Sequence, residues 1–217
     1  AYLNFGLSVA MMLGFSLVLF WFYFQKQQRN LIALLLLGVI LGQLFSNISS
    51  FFIMLMDPND FASVQANMFA SFNNVKVDLV YLCMPILVVV SGLLYRMHRT
   101  LDVFWLDKDN AVSLGVDVEG TTKRVLMLSA ILIAVSTALV GPIMFFGLLV
   151  TNLTREFFNA FQHRVLLVGC SMLSVAALLS GQWIVENLFA FSTTLSVVIN
   201  FIGGVYFLSM LIRNKIL

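Results

Sequence analysis

Long apolar runs, separated by short polar connectors, are the feature that most constrains how this chain can fold. Hydrophobic residues make up 61% of its 217 residues and charged residues only 10%. A soluble domain has about 25% charged residues, so this chain does not have the composition of one. A membrane helix needs about 20 apolar residues, which leaves room for about six to eight spans and no sizeable soluble domain. We therefore expect an all-α, polytopic membrane helical bundle.

The apolar runs predict seven membrane spans once the longest run is divided. That run covers residues 125–154 and contains Gly141-Pro142. Proline lacks the N–H that a continuous helix requires and clashes with the preceding turn, so we place a helix break at this pair. The predicted spans are residues 3–24, 31–55, 79–95, 125–140, 143–158, 165–185 and 195–212.

The distribution of basic residues supports this division. Lysine and arginine in short loops stay preferentially on the cytoplasmic side of a membrane. With seven spans, one side carries eleven of the twelve basic residues and the other carries Lys76 alone. This places the C-terminus in the cytoplasm and the N-terminus outside it. Because Ala1 is not an initiator methionine and no signal peptide follows it, we expect the sequence to be the C-terminal part of a longer protein.

Charge and cysteine content argue against several classes of function. A net charge of +2 provides no broad basic surface for nucleic acid. Cys83 and Cys170 lie in apolar runs without metal-ligand or disulfide spacing, and we assign no ligand role to His98 or His163. No GxxxxGK[ST] phosphate-binding motif is present, so ATP hydrolysis would need a separate subunit. We expect no catalytic residue, no metal site and no cofactor.

The longest polar segment, residues 96–124, contains more apolar side chains than a solvated linker needs. We expect one or two short amphipathic helices broken near Gly115 and Gly120, with an apolar face for a cytosolic partner. A helix that lies on the bilayer surface is the alternative. Ala111 and Gly115 are four residues apart, so we expect them to share a helix face beside Leu114.

Small residues recur at every fourth position of the second predicted span. Such a row lets helix backbones approach closely and is most often a packing seam. Together with polar neighbours, and with a similar set in the last span, it can instead line a polar path through the membrane. The candidate pathway residues are Gly38, Gly42, Gln43, Ser46, Asn47, Ser50 and Asn200.

Charged residues are almost absent from the interior of the predicted spans. Glu186 lies at the outer end of its span, and the centres of the other spans carry no charge. Ion-coupled carriers usually need such a charge, which argues against a secondary carrier. A seven-helix receptor of the retinal type needs a lysine within its last span, but Lys215 lies at the inner boundary.

Five sequence blocks resemble, in the same order, the permease subunits of the iron-siderophore and cobalamin class of ABC importers. They are LLLLGVILGQLFS at 34–46, AVSLGVDV at 111–118, GPIMFFGLLV at 141–150, the pair His163-Arg164, and INFIGGVYFLSML at 199–211. The resemblance implies a ten-helix permease of which the seven spans are the fourth to the tenth, in a single permease domain over residues 1–217. It also implies a location in the bacterial cytoplasmic (inner) membrane.

The same resemblance implies the partners. Residues 96–124 would dock on an ABC ATPase subunit through Ala111, Leu114, Gly115 and Val116. A second permease subunit would complete the pathway, and a periplasmic or lipid-anchored substrate-binding protein would sit on the outward loops. The stretch at 186–204 is most similar to the siderophore branch, so the expected cargo is a ferric siderophore, with cobalamin or haem as the alternative.

Overall fold

The computed structural model describes residues 2–25, 31–57, 60–61, 64, 72, 75–104, 108–189 and 193–214. In these residues every extended regular element is a helix, as predicted. The helices are α1 (Tyr2–Gln25), α2 (Leu31–Met54), α3 (Val77–Arg96), α4 (His98–Val103), α5 (Lys108–Ser113), α6 (Val118–Val140), α7 (Phe146–Phe158), α8 (His163–Asn187) and α9 (Leu195–Asn214). The chain divides into two compact units, one with α1 and α2 and one with α3 to α9.

The predicted helix break at Gly141-Pro142 is present. Helix α6 ends at Val140, and Gly141 follows with a φ of 101°, a conformation that glycine adopts without steric cost. The N–H of Gly141 donates to the carbonyl oxygen of Thr137 at 2.8 Å and closes the last turn of α6. The next helix, α7, begins at Phe146. Each of the seven predicted spans therefore has a corresponding helix.

The helices differ in whether they are long enough to cross a membrane. Four apolar helical segments reach that length among the described residues: Leu34–Met54, Val77–Arg96, Val118–Val140 and His163–Asn187. Two shorter apolar segments are Phe5–Trp21 and Leu195–Ser209. Helix α7 has 13 residues. At about 1.5 Å per residue its length is about 20 Å, which is less than the hydrocarbon core of about 30 Å.

The surfaces of these helices suit a lipid environment. Large apolar side chains are widely exposed, up to 88% for Met54. In water such exposure would be unfavourable, but lipid chains can cover these side chains. Helix α3 shows how charge is kept to the ends, with Asp78 in its first turn and Arg96 in its last. Both charges also complement the dipole of the helix.

The first unit has little internal packing among its described side chains, none of which is buried. Its two helices meet where the rings of Phe15 and Phe45 form an edge-to-face pair with centroids 4.8 Å apart. Residues between α2 and α3 are mostly outside the described ranges.

The second unit is packed around α7, α8 and α9, and small residues make this packing possible. Gly169 of α8 faces α7, where an added methyl group would lie 2.9 Å from Thr154 Cγ2 and 3.0 Å from Phe158 Cε2. Gly181 of α8 faces the end of α9, where the same addition would lie 2.8 Å from Leu195 Cδ1. Near this second contact, Val185, Leu195 and Ile199 form a buried apolar cluster.

Two glycine substitutions test this packing. Thr154 is fully buried and its hydroxyl donates to the carbonyl oxygen of Val150 at 2.7 Å, so it cannot easily move away from an added methyl group. We expect Gly169→Ala to lower the stability of the detergent-solubilised protein by about 1–3 kcal/mol. The measurement is the apparent melting temperature of the full-length protein.

Gly204→Ala on α9 is the matched control, because its added methyl group has no described atom within 4 Å. Alanine is the better helix former by about 0.5–1 kcal/mol, so this variant should be neutral or slightly stabilised. Equal losses of stability in both variants would contradict close packing at Gly169.

Candidate functional site

The segment 96–124 folds into two short helices, α4 and α5, followed by the first turns of α6. The break predicted near Gly115 is confirmed, because α5 ends at Ser113 and α6 begins at Val118. The break predicted near Gly120 is wrong. Gly120 lies in the first turn of α6, where its N–H donates to Asp117 Oδ1 at 2.9 Å. Asp117 thus caps α6 and makes Gly120 part of the helix start.

Gly115 ends α5 through a hydrogen-bonded turn. Its φ is +80°, its own N–H donates to the carbonyl oxygen of Val112 at 2.9 Å, and the N–H of Val116 donates to that of Ala111 at 3.1 Å. This pair of bonds is a Schellman motif, which needs a left-handed residue after the helix. The predicted common helix face of Ala111 and Gly115 is therefore wrong, because the chain has left the helix before Gly115.

The side chains around this turn divide into an anchored and an exposed set. Ala111 is completely buried, and α5 packs against α6. Val116 is half-buried. Val112 and Leu114 are 57% and 64% exposed. The four predicted docking residues are thus close together in the chain, but only Leu114 presents a large apolar side chain outward. Val112, which the sequence prediction did not include, lies beside it in the same turn.

Helix α4 is attached to the start of α8 by one carboxylate. Asp102 Oδ1 accepts a hydrogen bond from the backbone N–H of His163 at 2.6 Å and lies 2.8 Å from His163 Nδ1. A carboxylate only accepts, so Nδ1 carries the proton in this contact. Gln162, the residue before α8, supplies no side-chain cap of its own. Asp102 therefore caps α8 from a different helix, 61 residues earlier in the chain.

The surroundings favour the ionised form of Asp102. Partial burial acts to raise the pKa of this carboxyl group, but the hydrogen bonds from His163 and the nearby imidazoles of His163 and His98 outweigh it and lower the pKa. The charge lies at the N-terminal end of α8, where the helix dipole is positive. Contacts of this kind contribute about 0.5–2 kcal/mol to helix stability.

Two further contacts hold the same ends of α3, α4 and α8. His98 Nδ1 lies 2.7 Å from the carbonyl oxygen of Tyr95, at the junction of α3 and α4. Arg164 Nε donates to the Tyr95 hydroxyl at 3.2 Å and thereby connects α8 to α3. The pair His163-Arg164, which the family resemblance singled out, begins α8, but the sequence indicated no contact with Asp102. Among the described residues, no group of three or more His, Cys, Asp or Glu could hold a metal ion.

Six of the seven predicted pathway residues lie on α2 in the first unit, and all six are exposed: Gly38, Gly42, Gln43, Ser46, Asn47 and Ser50. The polar members bond within the helix. Gln43 Nε2 donates to Asn47 Oδ1 at 3.4 Å, and Ser50 Oγ donates to the carbonyl oxygen of Ser46 at 2.9 Å. A methyl group at either glycine would have no described atom within 4 Å. Among the described residues of its unit, these two glycines therefore have no packing partner.

Asn200, the seventh predicted pathway residue, lies on α9 in the second unit and is half-buried. Its Oδ1 atom is buried and has no hydrogen-bond partner among the described groups. A buried acceptor without a partner costs about 1–3 kcal/mol. Asn200 thus carries a buried polar atom without a hydrogen-bond partner among the described residues.

The chain is similar to permeases of known importers. The FecCD transport family matches residues 2–213. The petrobactin import system permease protein YclO of Bacillus subtilis is 49% identical over 213 residues, which are 98% of this chain and 68% of YclO. The petrobactin import system permease protein FatC of Bacillus anthracis is 30% identical, over 99% of this chain and 60% of FatC. The chain thus spans three fifths to two thirds of these relatives.

A solved structure has the same fold. It is an inward-facing conformation of a metal-chelate type ABC transporter, and it aligns with a TM-score of 0.81 and 24% sequence identity. The alignment covers 92% of this chain and 64% of the solved chain. The apolar helices and these relatives identify a multi-pass protein of the inner membrane. Since the family match extends over nearly the whole sequence and a relative covered to 68% is 49% identical, the chain belongs to the FecCD transport family.

Proposed function

We propose that the chain is part of a permease subunit that carries a ferric siderophore into the cytoplasm, driven by a separate ABC ATPase. The observation that carries this proposal is the 49% identity, over 98% of the chain, to a permease named for petrobactin import. Petrobactin is a siderophore, and the sequence block at 186–204 also resembles the siderophore branch. A cobalamin or haem complex is the second candidate for the cargo.

The sequence of this chain indicates that the energy for transport comes from another subunit. Its 217 residues carry no phosphate-binding motif and no charge in the middle of a predicted span. Neither nucleotide hydrolysis nor ion coupling can then be assigned to this chain. A partner ATPase on the cytoplasmic side supplies the missing step in our proposal, and this chain acts as a transport subunit and not as an enzyme.

The proposed docking surface consists of Val112, in the last turn of α5, and Leu114, in the turn that follows it. Ala111 and Gly115 support it differently from what the sequence suggested. Ala111 is buried and fixes α5, and the left-handed Gly115 shapes the turn that exposes Leu114. Val116 completes that turn through its hydrogen bond to Ala111. An exposed apolar pair of this kind suits a groove on a protein partner.

The proposed architecture is seven of the ten helices of one permease subunit. A second permease subunit forms the rest of the pathway, and a substrate-binding protein delivers the cargo from the outer side. The exposed small and polar face of α2 and the under-satisfied Asn200 are the proposed contributions of this chain to the pathway. Helix α7 is too short to span the membrane alone, and together with the 141–145 connection it forms one membrane segment in this architecture.

Uptake by a deletion strain that carries the full-length gene tests the cargo. We expect ATP-dependent accumulation of radioiron supplied as ferric petrobactin, because the 49% identical relative is a petrobactin permease. Accumulation should fall at least about tenfold in the strain without the gene. Labelled cobalamin and haemin are the matched probes. If the strain accumulates either of them in preference to ferric petrobactin, the siderophore assignment is wrong and that compound is the cargo.

Substitutions of Leu114 test the docking surface. Burial of a leucine side chain contributes about 1.5–3 kcal/mol, so Leu114→Asp should weaken ATPase association by about 10–100-fold. Leu114 is the better position than Gly115, where any larger side chain is strained by the φ of +80°. The measurement is co-purification of the ATPase with the full-length permease, together with uptake.

Leu114→Met and Leu114→Trp separate protein docking from lipid contact. Methionine keeps the size and apolar character, so it should preserve association. Tryptophan should block a shaped groove, but a bilayer interface accepts it readily. Normal association and uptake in Leu114→Trp would contradict docking and favour a helix on the membrane surface.

Single cysteines test the seven-span topology. After Cys83 and Cys170 are replaced by alanine, Lys76→Cys should react with a membrane-impermeant maleimide in intact spheroplasts. Asn110→Cys should react only after permeabilisation, because it lies on the side with most basic residues. Equal labelling of the two positions in intact cells would rule out the proposed topology.

A further inference from the structure

The contact between Asp102 and His163 joins the two parts of the molecule that transport must coordinate. Asp102 belongs to α4, within the segment proposed to dock on the ATPase, and His163 is the first residue of the long apolar helix α8. The contact consists of two hydrogen bonds to one carboxylate oxygen, at 2.6 and 2.8 Å. Both side chains are partly sheltered, with 34% of Asp102 and 23% of His163 exposed.

The position of α4 makes this contact a link between helices. Helix α4 follows α3 after the single residue Met97, and the N–H groups of Met97 and Leu101 bond back to the carbonyl oxygens of Leu94 and Met97. Helix α4 also packs against α8, and Asp102 adds a hydrogen-bonded connection to the start of that helix. A shift of α4 therefore cannot leave both neighbours unchanged: it must move the start of α8 or break the contact.

A local cap would have been sufficient if helix stability were the only requirement. Gln162 precedes α8 with a φ of −73° and a ψ of 123°, which is the extended conformation of N-cap residues. An aspartate or serine at that position could cap α8 from within its own chain segment. The chain instead takes the capping carboxylate from α4, which adds a connection that a local cap would not provide.

We propose that Asp102 and His163 are positioning residues that transmit movement of the docking segment to membrane helix α8. This inference rests on the proposed function, since it needs an ATPase partner. Allosteric couplings of this kind typically change a linked equilibrium by about 5–150-fold. Loss of the contact should therefore reduce the amount of substrate moved per ATP hydrolysed, beyond any loss of stability.

The test uses the full-length permease in proteoliposomes with its ATPase and binding protein, and radioiron-loaded petrobactin as the probe. Asp102→Ala removes the acceptor of both hydrogen bonds. We expect the ratio of transported iron to hydrolysed ATP to fall about fivefold or more. Asp102→Asn keeps one acceptor oxygen for the backbone N–H of His163 and should recover most of the ratio.

The decisive variant combines Asp102→Ala with Gln162→Asp. The new aspartate can cap α8 locally, so the melting temperature should return towards that of the unsubstituted protein. The transport ratio should stay low, because the connection to α4 is still missing. If the double variant restores the ratio as well, Asp102 serves only as a helix cap and the inference is overturned.

A second readout does not depend on the cargo. Binding of the ATPase should slow amide hydrogen exchange in the first turn of α8 in the unsubstituted protein, but not in the double variant. Tyr95→Phe is the matched control, because it removes only the hydrogen bond between α3 and Arg164 and should leave this response intact. Equal protection in the double variant overturns the inference.

The two proposals fail in different ways. Without ATP-dependent uptake or a co-purifying ATPase in the unsubstituted protein, the proposed function fails and the coupling inference fails with it. If the unsubstituted protein transports normally and Asp102→Ala keeps the same ratio, only the coupling inference is overturned.

Discussion

Hydrocarbon offers no hydrogen bonds to the peptide backbone, and this constraint governs the structure. Each span must satisfy its own N–H and C=O groups, which a helix does. At three helix ends among the described residues another group supplies the bond: the carbonyl oxygen of Thr137 for the N–H of Gly141, Asp117 for that of Gly120 and Asp102 for that of His163. The capping residues Asp117 and Asp102 both lie in the polar segment 96–124. Side chains from this segment thus cap the starts of α6 and α8.

The sequence predicts the features that depend on neighbouring residues. Apolar runs predicted the helices, and Gly141-Pro142 and Gly115 marked breaks, because proline and a left-handed glycine act within one turn of the backbone. Gly120 was predicted as a break as well, but the carboxylate of Asp117 three residues earlier makes it part of a helix start. An isolated glycine therefore predicts a break only when no capping residue precedes it.

Features that depend on distant residues were not predictable in this way. Asp102 and His163 are 61 residues apart, and nothing in the local pattern of either indicates the other. The available signal was that Gln162, the residue before α8, is not one of the usual capping residues and supplies no side-chain cap. The first N–H groups of a helix without a local cap need a hydrogen-bond acceptor from elsewhere in the chain. An acidic residue in a nearby connector can supply that acceptor. The exposure of Leu114 beside the buried Ala111 likewise could not be predicted from the sequence. It depends on the direction of the turn at Gly115, which only the structure shows.

Glycines of similar appearance in the sequence have different surroundings in the structure. Side chains of neighbouring helices occupy the space beside Gly169 and Gly181. The lack of a side chain at these two glycines therefore allows close helix packing inside the unit. Gly38 and Gly42 have no described atom near the position of a methyl group, and the polar residues beside them bond only within α2. If these glycines served only to pack helices within their own unit, described side chains of that unit would lie against them. The described residues include no such contact. In our proposal, the small and polar face of α2 contributes to the substrate pathway, where small side chains allow another surface to approach closely.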